Sequence, residues 1–416
     1  MRWLIVEDAL RDRTGHWLEW VSTFYHGFRQ LGDQVTVLAD AAVEPDIRDW
    51  LSAHPILPAS IWHRMSDGSG SFTRYSRLFA HAWQTTRVMQ RYLEANPNFD
   101  AVFVPTMALH HLLAWVWLIK RKLHRQRIRI LLFFLGAPLR VPPHSKKAIS
   151  DGSPTARLFH YLLRRLEPEV GSSEVVLGVE THALRRAMEE WSGLQVTCFP
   201  QPVQPVVSQD RQSSESKLEM ACFGAARAEK GSDILQDAIV RYRHRHPGSR
   251  VNFTIQWLED FTGNDNAMVR KHPQLLSDTQ MRFLTRYFVD GEYQAALQKT
   301  DVMLLPYRLS SYELRGSRVV IEAAVNGIPT IVTRGTTLAN LTEQFGAGIL
   351  VSDGDAESLA EGIRAAELRF SELRSEAWSR RKDAIEHFSV ANFREVFLAS
   401  NVPVKSRSGL AMQLQA

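Results

Sequence analysis

The chain has 416 residues, 44% of them hydrophobic and 23% charged, and a formal net charge of +5. This composition is that of a soluble protein able to bury a substantial core, and the length suggests two domains of roughly 200 residues each. The basic excess is mild, 50 basic against 45 acidic residues, and no basic stripe interleaved with aromatic residues indicates nucleic-acid binding. The charge permits an anionic partner such as a nucleotide or an anionic membrane surface.

Cysteine usage and hydropathy favour a cytoplasmic protein. The two cysteines are Cys198 and Cys222, and neither belongs to a Cys-x-x-Cys pair, which indicates a reducing compartment and no structural disulfide. The apolar run at the N-terminus is too short for a signal peptide. No stretch reaches the roughly 18 apolar residues that a membrane-spanning helix needs.

The first half alternates predicted strands and helices. A strand over 2–8, a polar loop, a helix ending at Gly32 and a strand over 34–40 form a βαβ unit. Residues 44–72 carry scattered Pro, Trp and His and predict no clear element. Further strands are predicted at 99–106, 127–136, 174–180 and 195–200, and further helices at 74–95, 107–123, 155–170 and 181–192.

A stretch rich in Pro, Gln and Ser over 200–216 divides the chain. It fits an interdomain linker, and the second half then starts again with a strand, a Gly-bearing loop and a helix. This alternation predicts an α/β protein with two doubly wound, Rossmann-like domains facing one another across a cleft. We place the domains at 1–203 and 218–390, the linker at 204–217 and a partly disordered tail at 391–416.

The first loop of the second half, FGAARAEKG at 223–231, follows a strand and precedes a helix. Gly224 would let the backbone approach a ligand closely. Arg227 and Lys230 would place two cations beside a helix N-terminus, an arrangement suited to a diphosphate. The alternative interpretation is a solvated basic turn.

The segment 301–332 is predicted to form a strand, a loop, a helix and a second strand. The first strand ends at Tyr307, Gly316 precedes the helix, and Gly327 fits the position just after it. The junction of loop and helix therefore lies at the carboxyl end of a strand, where open α/β sheets bind ligands.

Four residues at this junction could hold a nucleotide. Arg315, Gly316 and Ser317 could bind phosphate oxygens through backbone and side chain. Glu322 could accept hydrogen bonds from two neighbouring ribose hydroxyls, because a carboxylate is an acceptor with two oxygens. The alternative for Glu322 is a surface carboxylate or an internal salt bridge.

Together these motifs resemble a known family. FGAARAEKGSDIL is similar to the Gly…Arg-x-Glu-Lys-Gly loop of GT-B-fold retaining glycosyltransferases of the family-four type, and YELRGSRVVIEAAVNGIPTIV resembles their nucleotide-binding segment. The resemblance implies that Arg227 and Lys230 neutralise the donor diphosphate and act in catalysis. It also implies that Glu322 binds the ribose and that Gly316 and Ser317 lie against the phosphates.

The resemblance extends over about 220–365 and is only topological over 1–200. One position departs from the family pattern: many members carry a further Glu, which contacts the donor sugar, where this chain has Leu314. Glu313 and Arg315 flank that position. The resemblance therefore leaves the donor sugar unspecified.

The first domain offers two candidate sites. Gly15 and His16 lie in the first loop, where the family has a glycine-bearing segment near acceptor and donor phosphate; the alternative is an N-cap Thr14 and a surface histidine. His110 and His111 follow the strand at 99–106, and the resemblance implies a functional histidine near such a strand, for which His110 is the catalytic candidate. A histidine packed on a helix face is the alternative, and the choice between His110 and His111 stays open.

Neither a metal nor a cofactor is predicted. Asp353-Gly354-Asp355 resembles the metal-binding Asp-x-Asp of another glycosyltransferase fold, but a turn and a helix N-cap explain it better. No group of His, Cys and carboxylate residues has metal-ligand spacing in the sequence. The helix at 107–123 is apolar with a basic end, which favours a core helix and leaves peripheral membrane contact as an alternative.

These observations predict a glycosyltransferase. It would move a sugar from a nucleoside diphosphate sugar to a hydroxyl of a glycan or lipid-linked acceptor, with retention and without a metal, in polysaccharide or glycoconjugate assembly. The alternatives are a sugar-nucleotide epimerase of the same fold and a non-catalytic protein that binds nucleotide sugars.

Overall fold

The computed structural model describes residues 1–13, 17–60, 71–121, 128–142, 145, 147–206, 217–289 and 291–400, with the backbone alone over 71–74. The chain divides into two compact units. Among the described residues, 1–202 and 390–400 form the first, and those of Val203–Ser389 form the second. None of the helices in these described ranges has the length and apolar character that a bilayer-spanning segment requires.

The first unit contains a seven-stranded parallel sheet, with helices in the connections, and a separate two-stranded antiparallel sheet. Its strands are β1 (Arg2–Val6), β2 (Gln34–Asp40), β3 (Ala53–Leu57), β4 (Ala101–Val104), β5 (Arg129–Phe134), β6 (Leu139–Arg140), β7 (Ile149–Ser150), β8 (Val175–Val179) and β9 (Thr197–Cys198). Its helices up to Pro202 are α1 (Trp17–Gln30), α2 (Pro45–Leu51), α3 (Ser71–Ala95), α4 (Leu109–Arg121), α5 (Pro154–Arg165), α6 (Glu167–Gly171) and α7 (His182–Ser192).

The second unit repeats this plan. Its strands are β10 (Leu218–Cys222), β11 (Val251–Gln256), β12 (Phe261–Thr262), β13 (Met268–Val269), β14 (Met281–Leu284), β15 (Val302–Leu305), β16 (Thr330–Thr333) and β17 (Gly348–Val351). Its helices are α8 (Ser232–Arg245), α9 (Pro273–Leu276), α10 (Glu292–Lys299), α11 (Leu309–Tyr312), α12 (Arg318–Val325), α13 (Thr337–Phe345), α14 (Ala356–Leu368) and α15 (Phe370–His387).

The strand orders explain where each unit can bind a ligand. The first sheet runs β3-β2-β1-β4-β5-β8-β9 and the second β14-β11-β10-β15-β16-β17. In each sheet the chain builds outward from its first strand to one edge and then crosses to the other side. The crevice at the carboxyl ends of the two central strands is the usual ligand site of such sheets. It lies between β1 and β4 in the first unit and between β10 and β15 in the second. The prediction of two doubly wound Rossmann-like domains is confirmed.

Burial on both faces explains why the central strands are continuous apolar runs. In β1 every residue from Trp3 to Val6 is buried, and the same holds throughout β4 and β15. The helix predicted at 107–123 is a core helix, as expected, because Leu112, Trp115 and Leu118 are all at most 3% exposed.

The C-terminal segment differs from its prediction. Instead of a tail from residue 391, Val390–Ala399 forms helix α16, which belongs to the first unit. Phe393 is fully buried there against Phe24 and Phe199, with ring centroids 4.6 and 4.8 Å away. Gly27 of α1 makes room for α16, because a Cβ on it would lie 2.5 Å from Val390 Cγ2.

Two further segments also differ. Residues 44–72, which predicted no clear element, contain α2 and β3. Val203, the last residue of the predicted first domain, is 5% exposed in the core of the second unit, and the amide of Val206 in the predicted linker donates to Asn326 Oδ1 at 2.7 Å. The rest of the predicted linker, 207–216, lies outside the described residues, as do residues 401–416 of the predicted tail.

Phe393→Ala should lower the free energy of unfolding of the first unit by about 3–5 kcal/mol, because it leaves a cavity among packed rings. Urea denaturation followed by circular dichroism measures this. Phe79→Ala is the matched control: Phe79 is 44% exposed, so its loss should cost no more than about 0.5 kcal/mol. Equal effects of the two substitutions would show that α16 is not part of the core.

Candidate functional site

The loop between β10 and α8 carries Arg227 and Lys230. Residues Ala228–Lys230 form a single 3-10 turn, and Gly231 follows it in the left-handed conformation at φ 65°. The Arg227 amide donates to Ser232 Oγ at 3.1 Å, which fixes the loop on the first turn of α8. A side chain at Gly231 would overlap the carbonyl oxygen of Pro306, so the loop packs directly on the end of β15.

Gly224 determines where Lys230 lies. It has φ 89°, and a Cβ at this position would overlap Lys230 Nζ. The lysine side chain therefore packs against the backbone just after β10, in the space that a side chain at position 224 would fill. The Gly224 amide donates to Gln256 Oε1 at 2.7 Å, while Gln256 Nε2 donates to the Arg286 carbonyl at 3.1 Å. Gln256 thus fixes this backbone, a role that the sequence did not reveal.

The second part of the site is the N-terminus of α12. Ser317 is the N-cap residue in extended conformation, and its side chain makes no capping hydrogen bond. The helix ends in a Schellman motif: Ile328 N–H donates to the Ala323 carbonyl, and Gly327 has φ 65°. Gly327 thus lies just after the C-cap residue Asn326, at the end of the helix as predicted. The amides at the start of α12 are suited to an anion.

Glu322 is a buried carboxylate held by two neighbours. It is 4% exposed; Arg318 Nε donates to Oε1 at 3.0 Å, and the Tyr293 hydroxyl donates to Oε2. The sequence-based alternative of an internal salt bridge is therefore present in the structure. A carboxylate oxygen can accept two hydrogen bonds, so these bonds are compatible with ribose binding. Tyr293 is a further site residue that no motif predicted.

Tyr307 connects the two parts of the site. It is 1% exposed, and Lys230 Nζ lies 5.7 Å from its ring centroid. Burial raises the pKa of its hydroxyl, and the negative charge of Glu322 raises it further. Arg315 contributes a third cation. Its Nη2 lies 3.4 Å from Glu229 Oε1, and Arg227 Nη1 lies 3.8 Å from the same oxygen. The structure thus places the predicted residues of both motifs around the carboxyl ends of β10 and β15.

Lys230 has an altered ionisation equilibrium. Burial lowers its pKa below the usual 10.5, and the positive charges of Arg227 and Arg315 lower it further. The carboxylate of Glu229 opposes this change. A bound anion would favour the charged form of a lysine in such a cluster of cations.

The position that departs from the family pattern is partly buried. Leu314 precedes Arg315 in the loop before α12, and burial raises the pKa of the neighbouring Glu313. Asp355, in the Asp-x-Asp sequence, accepts hydrogen bonds from the amides of Glu357 and Ser358 as the N-cap of α14. The interpretation as a turn and N-cap is confirmed.

A cavity of about 490 Å³ adjoins the site beneath α10. It is lined by Phe223, the residue before Gly224, and by Phe288 and Glu292, among others. Phe223, Phe288 and Tyr293 pack as an aromatic cluster with ring centroids 5.4–5.7 Å apart. This cluster carries the tyrosine that contacts Glu322.

In the first unit, His110 and His111 lie at the start of α4 and are 3% and 5% exposed. His111 Nε2 is 2.9 Å from Asp8 Oδ2. Burial, with the nearby His111, lowers the pKa of His110 to about 2, so His110 is neutral at physiological pH. Gly15 and His16 lie outside the described residues.

The comparisons with known proteins agree with this geometry. Residues 217–366 match the family model of the glycosyl transferases group 1. The second unit therefore carries a glycosyl transferases group 1 domain, and the chain is a glycosyltransferase with the GT-B fold. Among curated protein sequences, no relative matches it.

Solved structures resemble this glycosyltransferase over nearly its whole length. A glycosyltransferase from Rickettsia africae has 12% identity and a TM-score of 0.63, with 97% of this chain and 99% of that chain covered. Trehalose-6-phosphate from E. coli bound with UDP-2-fluoro glucose, as that structure is named, has 13% identity and a TM-score of 0.63, covering 96% and 99%. Anabaena HepE in complex with UDP-glucose has 13% identity and a TM-score of 0.59, with the same coverage. At these identities the likeness concerns the fold.

Gly224→Ala should displace Lys230 and weaken binding of a nucleoside diphosphate by about tenfold or more, the equivalent of one charge-assisted hydrogen bond. Calorimetric titration with UDP, GDP and ADP measures it. Gly32→Ala is the control, because Gly32 has φ 83° but no atom lies within 4 Å of the place a Cβ would take there. If both variants bind as the wild type does, Gly224 is not needed to position the lysine.

Binding of the diphosphate should also depend on pH through Lys230. Because its pKa is lowered in the folded protein, the ammonium is complete at low pH and is lost as pH rises through a value below 10.5. Affinity should therefore fall at alkaline pH. Lys230→Arg should remove this dependence, since the guanidinium stays charged. The same alkaline loss in Lys230→Arg would contradict the assignment.

Proposed function

We propose that this glycosyltransferase moves a sugar from a nucleoside diphosphate sugar to an acceptor hydroxyl, without a metal ion at the diphosphate. The observation that carries the proposal is the grouping of Arg227, Lys230 and Arg315 with the N-terminus of α12. When the bond between the anomeric carbon and the diphosphate oxygen breaks, negative charge develops on the leaving group. Fixed cations and helix amides stabilise that charge most where it grows.

The nucleoside end would lie against Glu322 and the aromatic cluster. Glu322 would accept the ribose hydroxyls while Arg318 and Tyr293 hold its carboxylate in place. The acceptor oxygen would form the new bond to the anomeric carbon and lose its proton. Retention of configuration follows from the resemblance to the family-four type, and His110 and the segment with Gly15 and His16 remain proposals for the acceptor side.

The ligands of similar solved structures indicate which sugar donor to test first. Structures of the same fold are recorded in complex with UDP-glucose, with UDP and with UDP-2-fluoro glucose, which supports a UDP sugar as the first donor to test. A hydroxyl-bearing glycan or lipid-linked acceptor, in polysaccharide or glycoconjugate assembly, is the corresponding acceptor proposal.

Peripheral contact with the inner face of the cytoplasmic membrane has support on α3. Phe79 and Trp83 lie one turn apart and are 44% and 46% exposed, and Arg87 lies 5.6 Å from the Trp83 ring centroid. Exposed aromatic side chains beside cations suit an anionic lipid surface.

Many family members have Glu where this chain has Leu314. This difference favours one alternative, a protein that binds nucleotide sugars without transferring the sugar. Binding of a UDP sugar with no turnover over a broad panel of acceptors would favour it. Conversion of the donor sugar in the absence of any acceptor would instead indicate an epimerase.

Lys230→Ala and Glu322→Gln should each lower turnover at least about tenfold, since each removes a charge-assisted contact to the donor. Glu322→Gln keeps the side-chain volume, so the buried site should still fold. Release of nucleoside diphosphate under saturating acceptor measures the rate. Lys382→Ala and Glu361→Ala, which change exposed residues of the same unit, are the matched controls.

Wild-type turnover in both Lys230→Ala and Glu322→Gln, with a donor confirmed for the wild type, would refute the assignment of the site. A loss that also appears in the two controls would point to instability of the unit rather than to donor binding.

A further inference from the structure

An arginine just after β15 lies where three loops of the second unit meet. Arg308 follows Tyr307, and its side chain is 14% exposed. Its backbone amide donates to the Glu229 carbonyl at 2.9 Å, in the loop that carries Arg227 and Lys230. No sequence motif indicated this residue, and none of the proposed donor contacts uses it.

The side chain of Arg308 reaches the first turn of α8. Its Nη2 donates to Asp233 Oδ2 at 2.7 Å, and the Asp233 side chain is 27% exposed. Asp233 lies shortly after Lys230, at a helix N-terminus, where a carboxylate is favourable. The backbone bond to Glu229 and the ion pair with Asp233 therefore hold the loop on both sides of Lys230.

The turn between β17 and α14 is the third element of this arrangement. A Cβ on Gly354, which has φ 67°, would lie 2.6 Å from Arg308 Nη1, so the guanidinium packs against the backbone of this turn. Asp353 Oδ1 accepts a hydrogen bond from the Leu309 amide at 3.1 Å. Besides capping α14, the Asp-Gly-Asp sequence thus fixes the loop after β15 and leaves room for the arginine.

Stability alone does not account for the ion pair between Arg308 and Asp233. Arg308 Nε and Asp233 Oδ1 are buried and lack a hydrogen-bond partner among the residues that the structure describes. A buried pair is often no more stabilising than apolar side chains of similar volume, above all when some of its polar atoms stay unsatisfied. The pair does join the two loops that carry Lys230 and Arg315, which favours a role in holding these loops together.

We propose that Arg308 is a positioning residue for the donor diphosphate: it holds the loop of Lys230 against the loop of Arg315 and does not itself contact the nucleotide. This inference rests on the proposed function, because it takes Lys230 as the contact to the diphosphate. The planar guanidinium suits the role, since one nitrogen donates to Asp233 while another lies against Gly354. A lysine ammonium is a single point of charge and cannot make both contacts.

Arg308→Met should displace Lys230 and weaken binding of a nucleoside diphosphate about fivefold or more, with little change for the matched monophosphate. Calorimetric titration of the full-length protein with the di- and monophosphate of uridine, guanosine or adenosine, whichever the wild type binds, measures the ratio of the two affinities. Arg308→Lys keeps the charge and should restore part of the loss.

Arg243→Met is the matched control. Arg243 also forms a largely buried ion pair of this unit, with its Nε 2.8 Å from Asp278 Oδ2, but it lies in the last turn of α8, away from the donor loops. Its loss should destabilise the unit in a similar way and leave the ratio of diphosphate to monophosphate affinity at the wild-type value.

A double-mutant cycle tests whether Arg308 acts through Lys230. In a Lys230→Ala background, Arg308→Met should cause no further loss of diphosphate affinity, whereas two independent contacts would multiply their losses. A second readout needs no nucleotide: reductive methylation of Lys230, followed by mass spectrometry against the exposed Lys382, should be faster in Arg308→Met and in Asp233→Asn than in the wild type.

Multiplied losses in the double variant, an equal loss for both nucleotides in Arg308→Met, or the same change of ratio in Arg243→Met would overturn the inference. If Lys230→Ala lowers diphosphate affinity while Arg308→Met changes neither that affinity nor the reactivity of Lys230, only the role of Arg308 is refuted. A wild type that binds no nucleoside diphosphate would refute the proposed function and this inference with it.

Discussion

The proposed donor site depends on the close contact between Lys230 and Gly224. Lys230 Nζ lies where a side chain at position 224 would place its Cβ, and the residue there is a glycine with φ 89°. The same contact places the ammonium over Tyr307 at the end of β15. The order of the strands makes this possible, because β10 and β15 are neighbours in the sheet although about 80 residues separate them.

Burial gives the site its electrostatic character. Glu322 is fixed by Arg318 and Tyr293, and Lys230 lies among two arginines and Glu229. Groups held in this way need little rearrangement when charge appears on a leaving group, which is the basis of electrostatic stabilisation in enzymes. Such an arrangement is also unfavourable in one respect, because a buried ammonium loses its hydration. The charge of a bound diphosphate would offset that loss.

Local patterns predicted much of the fold and part of the site. Apolar runs with glycine-bearing loops located the central strands. Gly224 and Lys230 stood in a predicted loop between a strand and a helix, and Glu322 stood inside a predicted helix. The missed features depend on distant partners. β3 was not recognised because it contains Pro55, which an edge strand tolerates. Helix α16 is stabilised by the core of the first unit, and Tyr293 and Gln256 reach the site from separate segments.

The buried contact between Asp8 and His111 in the first unit shows the same limit. These two residues are 103 residues apart in the sequence. Only the order of the strands in the sheet brings them together. In both units the chemically active residues gather beside the pair of central strands at which the chain changes direction, as open α/β sheets lead one to expect. Local sequence identifies such residues one at a time, and topology determines which of them meet.

In the proposed site, Lys230 contacts the diphosphate and Glu322 contacts the ribose of one bound nucleotide. The most direct measurement is calorimetric affinity for the matched nucleoside diphosphate and monophosphate in wild type, Lys230→Ala and Glu322→Gln. Lys230→Ala is expected to weaken binding of the diphosphate far more than binding of the monophosphate, whereas Glu322→Gln should weaken both by the same factor. Unchanged affinity in either variant, or an equal loss for both nucleotides in Lys230→Ala, would contradict these two contacts.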